Sequence, residues 1–280
     1  MVRIAVVGLV GRSMFFDVPK FHSGGETVHA TGFHEEWDGK GFNQAVAAVR
    51  QGAQVSFLGK VGSDSDVRSV CDFCDKEGIR PVVCYSMSSL LPTACAAILT
   101  DGTGETHVTV ACGAELDVAD VDCRFKDEIA AADFLLLNNE VPEEVNLRAS
   151  EIAAANGVKI VFNPAPARKL LPEIASRVFL FTPNEFEEAA LGDVGCEVVT
   201  TLGANGCRIR STGKVLQAAS CGVVVDTTGA GDTFTATLAV YLAEGAALED
   251  ACMAANAAAA KSVTMRYVLP SIPHRLMNAT

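Results

Sequence analysis

The residues richest in chemistry are Asp226-Thr-Thr-Gly229-Ala230-Gly231-Asp232-Thr-Phe, preceded by Val223-Val-Val225. A β-branched run, a glycine turn and a helical pattern in direct succession predict a strand, a loop and a helix. Gly229 and Gly231 let several backbone N–H groups turn toward one point. The helix that follows adds its unpaired N-terminal N–H groups and the positive end of its dipole. Together these groups make an anion hole. Asp232 falls in the first helical turn, at the mouth of that hole, where a carboxylate is stabilised electrostatically. There it can accept a proton from a hydroxyl that attacks a phosphoryl group bound in the hole. Positioning and charge stabilisation are most of what phosphoryl transfer requires. An Asp in a first turn is also a common helix cap, so the signal is the whole segment and not Gly-x-Gly alone. Neither G-x-x-x-x-G-K-[ST] nor G-x-G-x-x-G occurs in the chain.

The elements that must position this segment alternate between apolar strand-like runs and amphipathic helix-like runs. Ile4 to Val10, Gln54 to Leu58, Phe134 to Leu137, Lys159 to Phe162, Phe179 to Phe181 and Val198 to Thr201 read as buried strands. Phe42, Ala45, Val46 and Val49 keep helical spacing, with Gly52 to end that helix. Ser65 to Glu77 and a run from Pro142 to Asn156-Gly157 are also helical. Thr233 to Glu244 and Leu248 to Thr264 are alanine-rich helices. Such alternation implies βαβ units, hence an α/β fold with a parallel sheet and helices on both faces. Two stretches break the pattern, at about 12–38 and 82–112. The second holds a hairpin, Thr93 to Thr100 and Thr106 to Cys112 around Asp101-Gly102. Together they predict a small β element projecting from the main sheet, within one domain spanning 1–280.

Composition narrows the function. Of 280 residues, 49% are hydrophobic and 20% charged, which excludes a disordered chain. With 22 basic and 34 acidic residues the net charge is -12, which excludes a groove that tracks nucleic acid. No run approaches the ~20 apolar residues of a membrane span. The apolar N-terminus reads as a strand and not as a signal peptide. Of the ten cysteines, only Cys71 and Cys74 are closely spaced, and with Val67 and Val70 they form a core stripe. No second pair at zinc spacing accompanies them. Free thiols used as small hydrophobes predict a reducing, cytoplasmic compartment.

The Asp226–Phe234 segment resembles the C-terminal signature of the ribokinase-like (PfkB) carbohydrate kinases, and the similarity runs in order through the chain. Gly25-Glu26-Thr27 and Gly39-Lys40-Gly41-Phe42-Asn43-Gln44-Ala45 resemble the N-terminal signature. Asn163-Pro164-Ala165-Pro166-Ala167 resembles the ribokinase form of its loop. Asn184-Glu185-Phe186-Glu187 resembles the N-x-x-E metal motif, and Thr201 to Gly206 the nucleotide loop. Asn256-Ala-Ala-Ala-Ala260 and Pro270-Ser271-Ile272-Pro273 complete the series. The resemblance implies a Rossmann-like, mostly parallel sheet with a small β-sheet lid that often mediates dimers. It implies ATP and Mg²⁺, with a small sugar-like molecule as phosphate acceptor. Asp232 becomes the base, and Gly229, Ala230 and Gly231 the anion hole. Glu187 would hold Mg²⁺ through water beside Asn184. Thr201, Gly203, Gly206 and Asn256 would bind nucleotide. Gly11, Ser13, Gly39, Lys40, Asn43 and Glu140 would meet the acceptor. Asp226 and Ser271 are the positions of a K⁺ site.

Several positions depart from that pattern. Gly11 and Ser13 stand where ribokinases place an Asn and an Asp that grip sugar hydroxyls, which predicts weak ribose binding. Arg12 beside them suggests an anionic or less hydroxylated acceptor, or else a plain surface Arg. Asp38 replaces the first glycine of Gly-Gly-Lys-Gly. Phe42 replaces a small residue and, with Trp37, suggests a narrowed pocket or a platform for a base. The chain between Leu191 and Glu197 lacks a further helix, and Tyr267-Val268-Leu269 alters the cation loop. Ribose, fructose, a keto-deoxy sugar acid and a nucleoside all stay open as acceptors. The alternative is a non-catalytic sugar- or nucleotide-binding protein on the same fold.

Overall fold

In a computed structural model, residues 1–64, 67–85 and 91–275 are described. The first strand, β1 (Arg3–Val7), is apolar from Ile4 onward because both of its faces are covered. Ile4 and Val6 enter one core, and Ala5 and Val7 enter a second core on the other side. After β1 the chain makes β2 (Gly11–Asp17) and β3 (Gly32–Asp38), then α1 (Lys40–Arg50), β4 (Gln54–Val61), α2 (Val67–Glu77) and β5 (Ile79–Tyr85). Strands β6 (Ala94–Thr100) and β7 (Thr106–Ala111) follow, then helices α3 (Val118–Arg124) and α4 (Lys126–Ala130). Next come β8 (Phe134–Asn138), α5 (Glu143–Ala155), β9 (Lys159–Asn163), α6 (Pro172–Ala175), β10 (Leu180–Phe181), α7 (Glu185–Leu191) and β11 (Glu197–Thr201). The chain finishes with β12 (Cys207–Ile209), β13 (Val215–Leu216), α8 (Ala230–Ala243), α9 (Leu248–Ser262) and α10 (Val268–Ser271).

The large sheet has nine strands in the order β13-β12-β11-β10-β9-β8-β1-β4-β5, parallel except at β12 and β13. Helices α1, α2, α8 and α9 contribute to the core on one face, and α3 to α6 to the core on the other. This is the expected α/β architecture, a Rossmann-like sheet with helices on both faces. A second sheet of four strands, β3-β2-β6-β7, stands apart from it. Its register sets Gly11 against Asp38 and Ser13 against Glu36. Val82 to Tyr85, expected in the small element, pair with β4 in the large sheet instead. Ser65, the expected start of α2, and residues 86–90 lie outside the described residues.

Two expectations are corrected. Val223 to Val225 form no strand. They pass the end of α9, held by the Val225 N–H on the Val263 carbonyl at 2.8 Å, with Val223 in a bend and 81% exposed. A β-branched run becomes a strand only where a partner strand is available, and none pairs with this one among the described residues. Phe42 is fully buried, against Phe57 and Phe73 in the core, and so neither narrows a pocket nor offers a platform. The helical stripe to which it belongs points inward. Trp37 is half-buried beneath the Arg12 guanidinium, 4.9 Å from the ring centre.

Helix α1 can approach β1 only because two glycines meet. A Cβ built on Gly41 would lie 2.5 Å from the Cα of Gly8. Gly41→Ala is expected to destabilise the fold by about 1–3 kcal/mol, as overpacked sites do, whereas Gly102→Ala, with open space around it, should be neutral. Thermal melting of the two variants checks this; equal melting temperatures would contradict the close contact.

Candidate active site

The C-terminal ends of β1 and β8, the start of α1, the first turn of α8 and the mouth of the small sheet converge on one hollow. Ligands bind at this end of open α/β sheets. Helix α8 begins at Gly229, whose φ of 76° suits glycine. No side chain caps this N-terminus; the Ala230 N–H is taken by the Thr227 carbonyl at 3.3 Å, which leaves those of Gly231 and Asp232 for an anion. Asp232 sits in that first turn, 6% exposed. Its Oδ1 accepts from Gln44 Nε2 at 3.0 Å, and its Oδ2 from Asn43 Nδ2 at 3.4 Å. Burial pushes the Asp232 carboxyl above its ordinary range, against the opposing pull of Lys40 and of the two amides.

Helix α1 supplies most of the other groups. The Lys40 backbone N–H donates to Glu140 Oε2 at 2.6 Å. Glu140 is held in turn through its own N–H, which donates to Asn138 Oδ1 at 2.9 Å. Desolvation pushes the Glu140 carboxyl up to about 7, reinforced by Asp232 and Asp38 and opposed by Lys40. The Lys40 ammonium is held above its usual range, most strongly by Asp232, with Glu140, Glu187 and Asp38 adding to the field. Asp38, at the end of β3, accepts from Gly39 N–H at 2.7 Å and Asn43 Nδ2 at 2.8 Å on one oxygen, and from Ser13 Oγ at 2.6 Å on the other. Gly11 has no room for a side chain, since a Cβ would lie 2.5 Å from the Ala94 carbonyl oxygen. Arg12 is engaged elsewhere, with Glu35 at 2.7 Å.

A second group of residues lies around the start of α7 and the end of β11. Asn184 caps α7 and exchanges hydrogen bonds with Glu187: Glu187 N–H donates to Asn184 Oδ1 at 2.8 Å, and Asn184 N–H to Glu187 Oε2 at 2.9 Å. This leaves Glu187 Oε1 free on a half-buried side chain. One carboxylate oxygen fits hydrated Mg²⁺, which keeps most of its waters. Asn184 bridges to Thr201 on β11. Gly203 and Gly206 shape the turn after β11. Asn256 Nδ2 is occupied by the carbonyls of Leu216 and Gln217, at 3.0 and 3.2 Å. Asp226 lies apart from both groups. Its carboxylate accepts from Thr228 N–H at 2.9 Å, Thr228 Oγ1 at 2.7 Å and Tyr267 N–H at 3.2 Å, while Ser271 Oγ donates to Val268 O. Donors crowd this carboxylate where a monovalent cation needs acceptors, so the residues present do not fit K⁺.

Three groups escaped the sequence reading. Gln44 was legible as a polar residue in an otherwise apolar helical face. Asp38 was visible only as an oddity, because its contacts come from strand register. Glu36, whose carboxylate accepts from the N–H groups of Val268 and Leu269 at 2.9 and 3.3 Å, ties the small sheet to the C-terminal loop and had no signal.

A desolvated carboxylate beside an uncapped helix N-terminus, on a doubly wound sheet, suits phosphoryl transfer to a hydroxyl. Residues 1–275 match the pfkB family of carbohydrate kinases, and the chain belongs to that family. It is 34% identical to the ribokinase of Haemophilus influenzae over 293 residues, covering 97% of this chain and 95% of that one. It is 34% identical to the ribokinase of Bacillus subtilis, covering 94% and 93%. The solved ribokinase of Thermotoga maritima superposes with a TM-score of 0.86 at 29% identity, covering 98% and 97%. The activity is that of the family, ATP-dependent phosphorylation of a sugar.

Glu140 gives a pH prediction. Its folded carboxyl, at about 7 against an ordinary 4.5, holds a proton that the unfolded chain has already released between those values. Stability therefore falls as pH rises through that window, by up to about 3 kcal/mol. Glu140→Gln should melt higher than the unmodified protein at pH 8, with the gain shrinking toward pH 5. A gain independent of pH would mean that this carboxyl titrates normally.

Proposed function

We propose that the protein transfers the γ-phosphoryl of ATP to a hydroxymethyl oxygen of a neutral, hydroxyl-rich sugar, with Asp232 as base. One observation carries the reading: Asp232 is desolvated, amide-bound on both oxygens and set in the first turn of an uncapped helix. The acceptor O–H gives its proton to Asp232 as the oxygen bonds the γ-phosphorus. The bridging oxygen leaves with ADP, and the proton passes on to solvent. Gly229, Ala230 and Gly231 hold the transferring oxygens by backbone N–H groups, and Lys40 adds a positive charge beside them. Glu187 and Asn184 would hold hydrated Mg²⁺, which when bound draws charge from the phosphates. Thr201, Gly203, Gly206 and Asn256 line the nucleotide side, and Asn43, Glu140 and the Gly39–Lys40 backbone the acceptor side.

Asp38, Glu140 and Asp232 in one hollow oppose a keto-deoxy acid, whose carboxylate they would repel. With Phe42 sealed in the core and Trp37 covered by Arg12, a nucleoside base has no platform, which leaves ribose and fructose ahead. The small sheet serves as the lid over the acceptor. Its exposed Phe33, Val108 and Val110 are the surface we assign to a homodimer. Unpaired thiols, with Cys74, Cys207 and Cys252 buried as small hydrophobes, fit a reducing cytoplasm.

Asp232→Asn should lower kcat by about 10²–10⁴-fold, the range for a lost general base, with no loss of melting temperature. A coupled ADP-release assay over ribose and fructose reads it, and turnover close to that of the unmodified enzyme would overturn the mechanism. Glu187→Gln should raise the Mg²⁺ concentration needed for half-maximal rate while leaving the KM for the sugar unchanged.

A further inference from the structure

A census of donors and acceptors around the acceptor hollow singles out one residue. Ser13 spends its hydroxyl hydrogen on Asp38. Asn43 spends its amide N–H groups on Asp38 and Asp232, and Gln44 donates to Asp232. The side-chain donors of Ser13 and Asn43 are thus committed, and Gln44 gives one of its two N–H groups to Asp232. What remains is acceptor capacity. Asn43 Oδ1 is buried and has no hydrogen-bond partner. Asp38 receives three hydrogen bonds, fewer than the roughly four that two carboxylate oxygens can accept. A ligand that satisfies this surface must bring hydrogen-bond donors, and the donors that a neutral sugar carries are hydroxyls. A buried acceptor left unmatched costs about 1–3 kcal/mol, so these oxygens discriminate strongly against a ligand without a hydroxyl at that place.

Asp38 is fixed from three directions. It closes β3, its backbone stands opposite Gly11, and its carboxylate reaches across to Ser13 on β2 and back to Asn43 on α1. Gly11 leaves that side of the hollow without a side chain of its own. We propose that Asp38 is the residue that selects the acceptor. Its carboxylate accepts hydrogen bonds from hydroxyls of a neutral sugar. Removal of the Asp38 carboxylate strips the hollow of its charged acceptor at this edge. Since Ser13 and Asp38 touch across the strands, a carboxylate placed at Ser13 enters the same space.

The proposal rests on the kinase reading, and the experiment separates the two. Steady-state kinetics are run with D-ribose, 2-deoxy-D-ribose and D-fructose as acceptors on the unmodified enzyme, Asp38→Asn, Asp38→Gly and the double variant Ser13→Asp/Asp38→Gly, with melting temperatures for each. The expected result is a rise in acceptor KM of about 10–100-fold for both single variants, as loss of a charge-assisted hydrogen bond gives. The KM for ATP should change by less than about twofold, the preference for ribose over 2-deoxyribose should collapse, and the double variant should recover most of both losses. Asp38→Asn keeps the shape of the side chain and serves where Asp38→Gly does not fold. An acceptor KM unchanged in Asp38→Asn, or a double variant no better than Asp38→Gly, overturns the assignment while leaving the kinase reading intact. If the unmodified enzyme phosphorylates none of the three sugars, the kinase reading falls first, and this assignment falls with it.

Discussion

The site depends on the hold that helix α1 keeps on one buried carboxylate. Asp232 has lost its water, and a carboxylate in that position would protonate unless donors favour its charged form. Gln44 and Asn43 supply those donors from consecutive positions of α1, and Lys40 supplies a charge one turn earlier. The same first turn sets the Lys40 N–H against Glu140 and brings Asn43 to Asp38. A displacement of α1 would therefore disturb the partners of Asp232, Glu140 and Asp38 together. What holds α1 in place is steric: the Gly8–Gly41 contact admits no Cβ, so the helix rests directly on the turn after β1.

Periodicity carried most of the fold. The apolar runs from Ile4, Phe134 and Lys159 show strands buried on both faces, and the helical spacing from Phe42 to Val49 shows α1. The glycine turn before Asp232 was legible because its chemistry is local, requiring only backbone N–H groups and a helix start. What stayed hidden was pairing at a distance. Nothing near Val223 in the chain tells that no strand will lie beside it. Phe42 looked like a pocket residue because it interrupts a binding motif, although one helical step of about 100° separates it from Asn43 and carries its ring into the core. Asp38 was read as the loss of a glycine. Its role in the hollow emerges only once β2 and β3 are in register, some twenty residues apart in the chain.

The charge balance reads differently beside this geometry. A net charge of -12 would be an obstacle to holding a triphosphate by lysines and arginines. Beside Asp232 stand an uncapped helix terminus and the Lys40 ammonium, and Arg12 is tied to Glu35. Backbone dipoles hold anions without titrating, so the acidic surface and an anionic co-substrate coexist. Burial, more than the neighbouring carboxylates, is what raises the Glu140 carboxyl.

The alternation along β1 has a consequence for how the molecule comes apart. Ile4 and Val6 anchor one helical layer while Ala5 and Val7 anchor the other. Neither layer can melt without uncovering a strand on which its counterpart rests, so the two layers behave as one cooperative unit and not as separable foldons. Nicking the loops of the large sheet would then yield no surviving half. Strand β7, whose residues are all exposed, shares none of these anchors, and it is the part of the small sheet that can loosen alone.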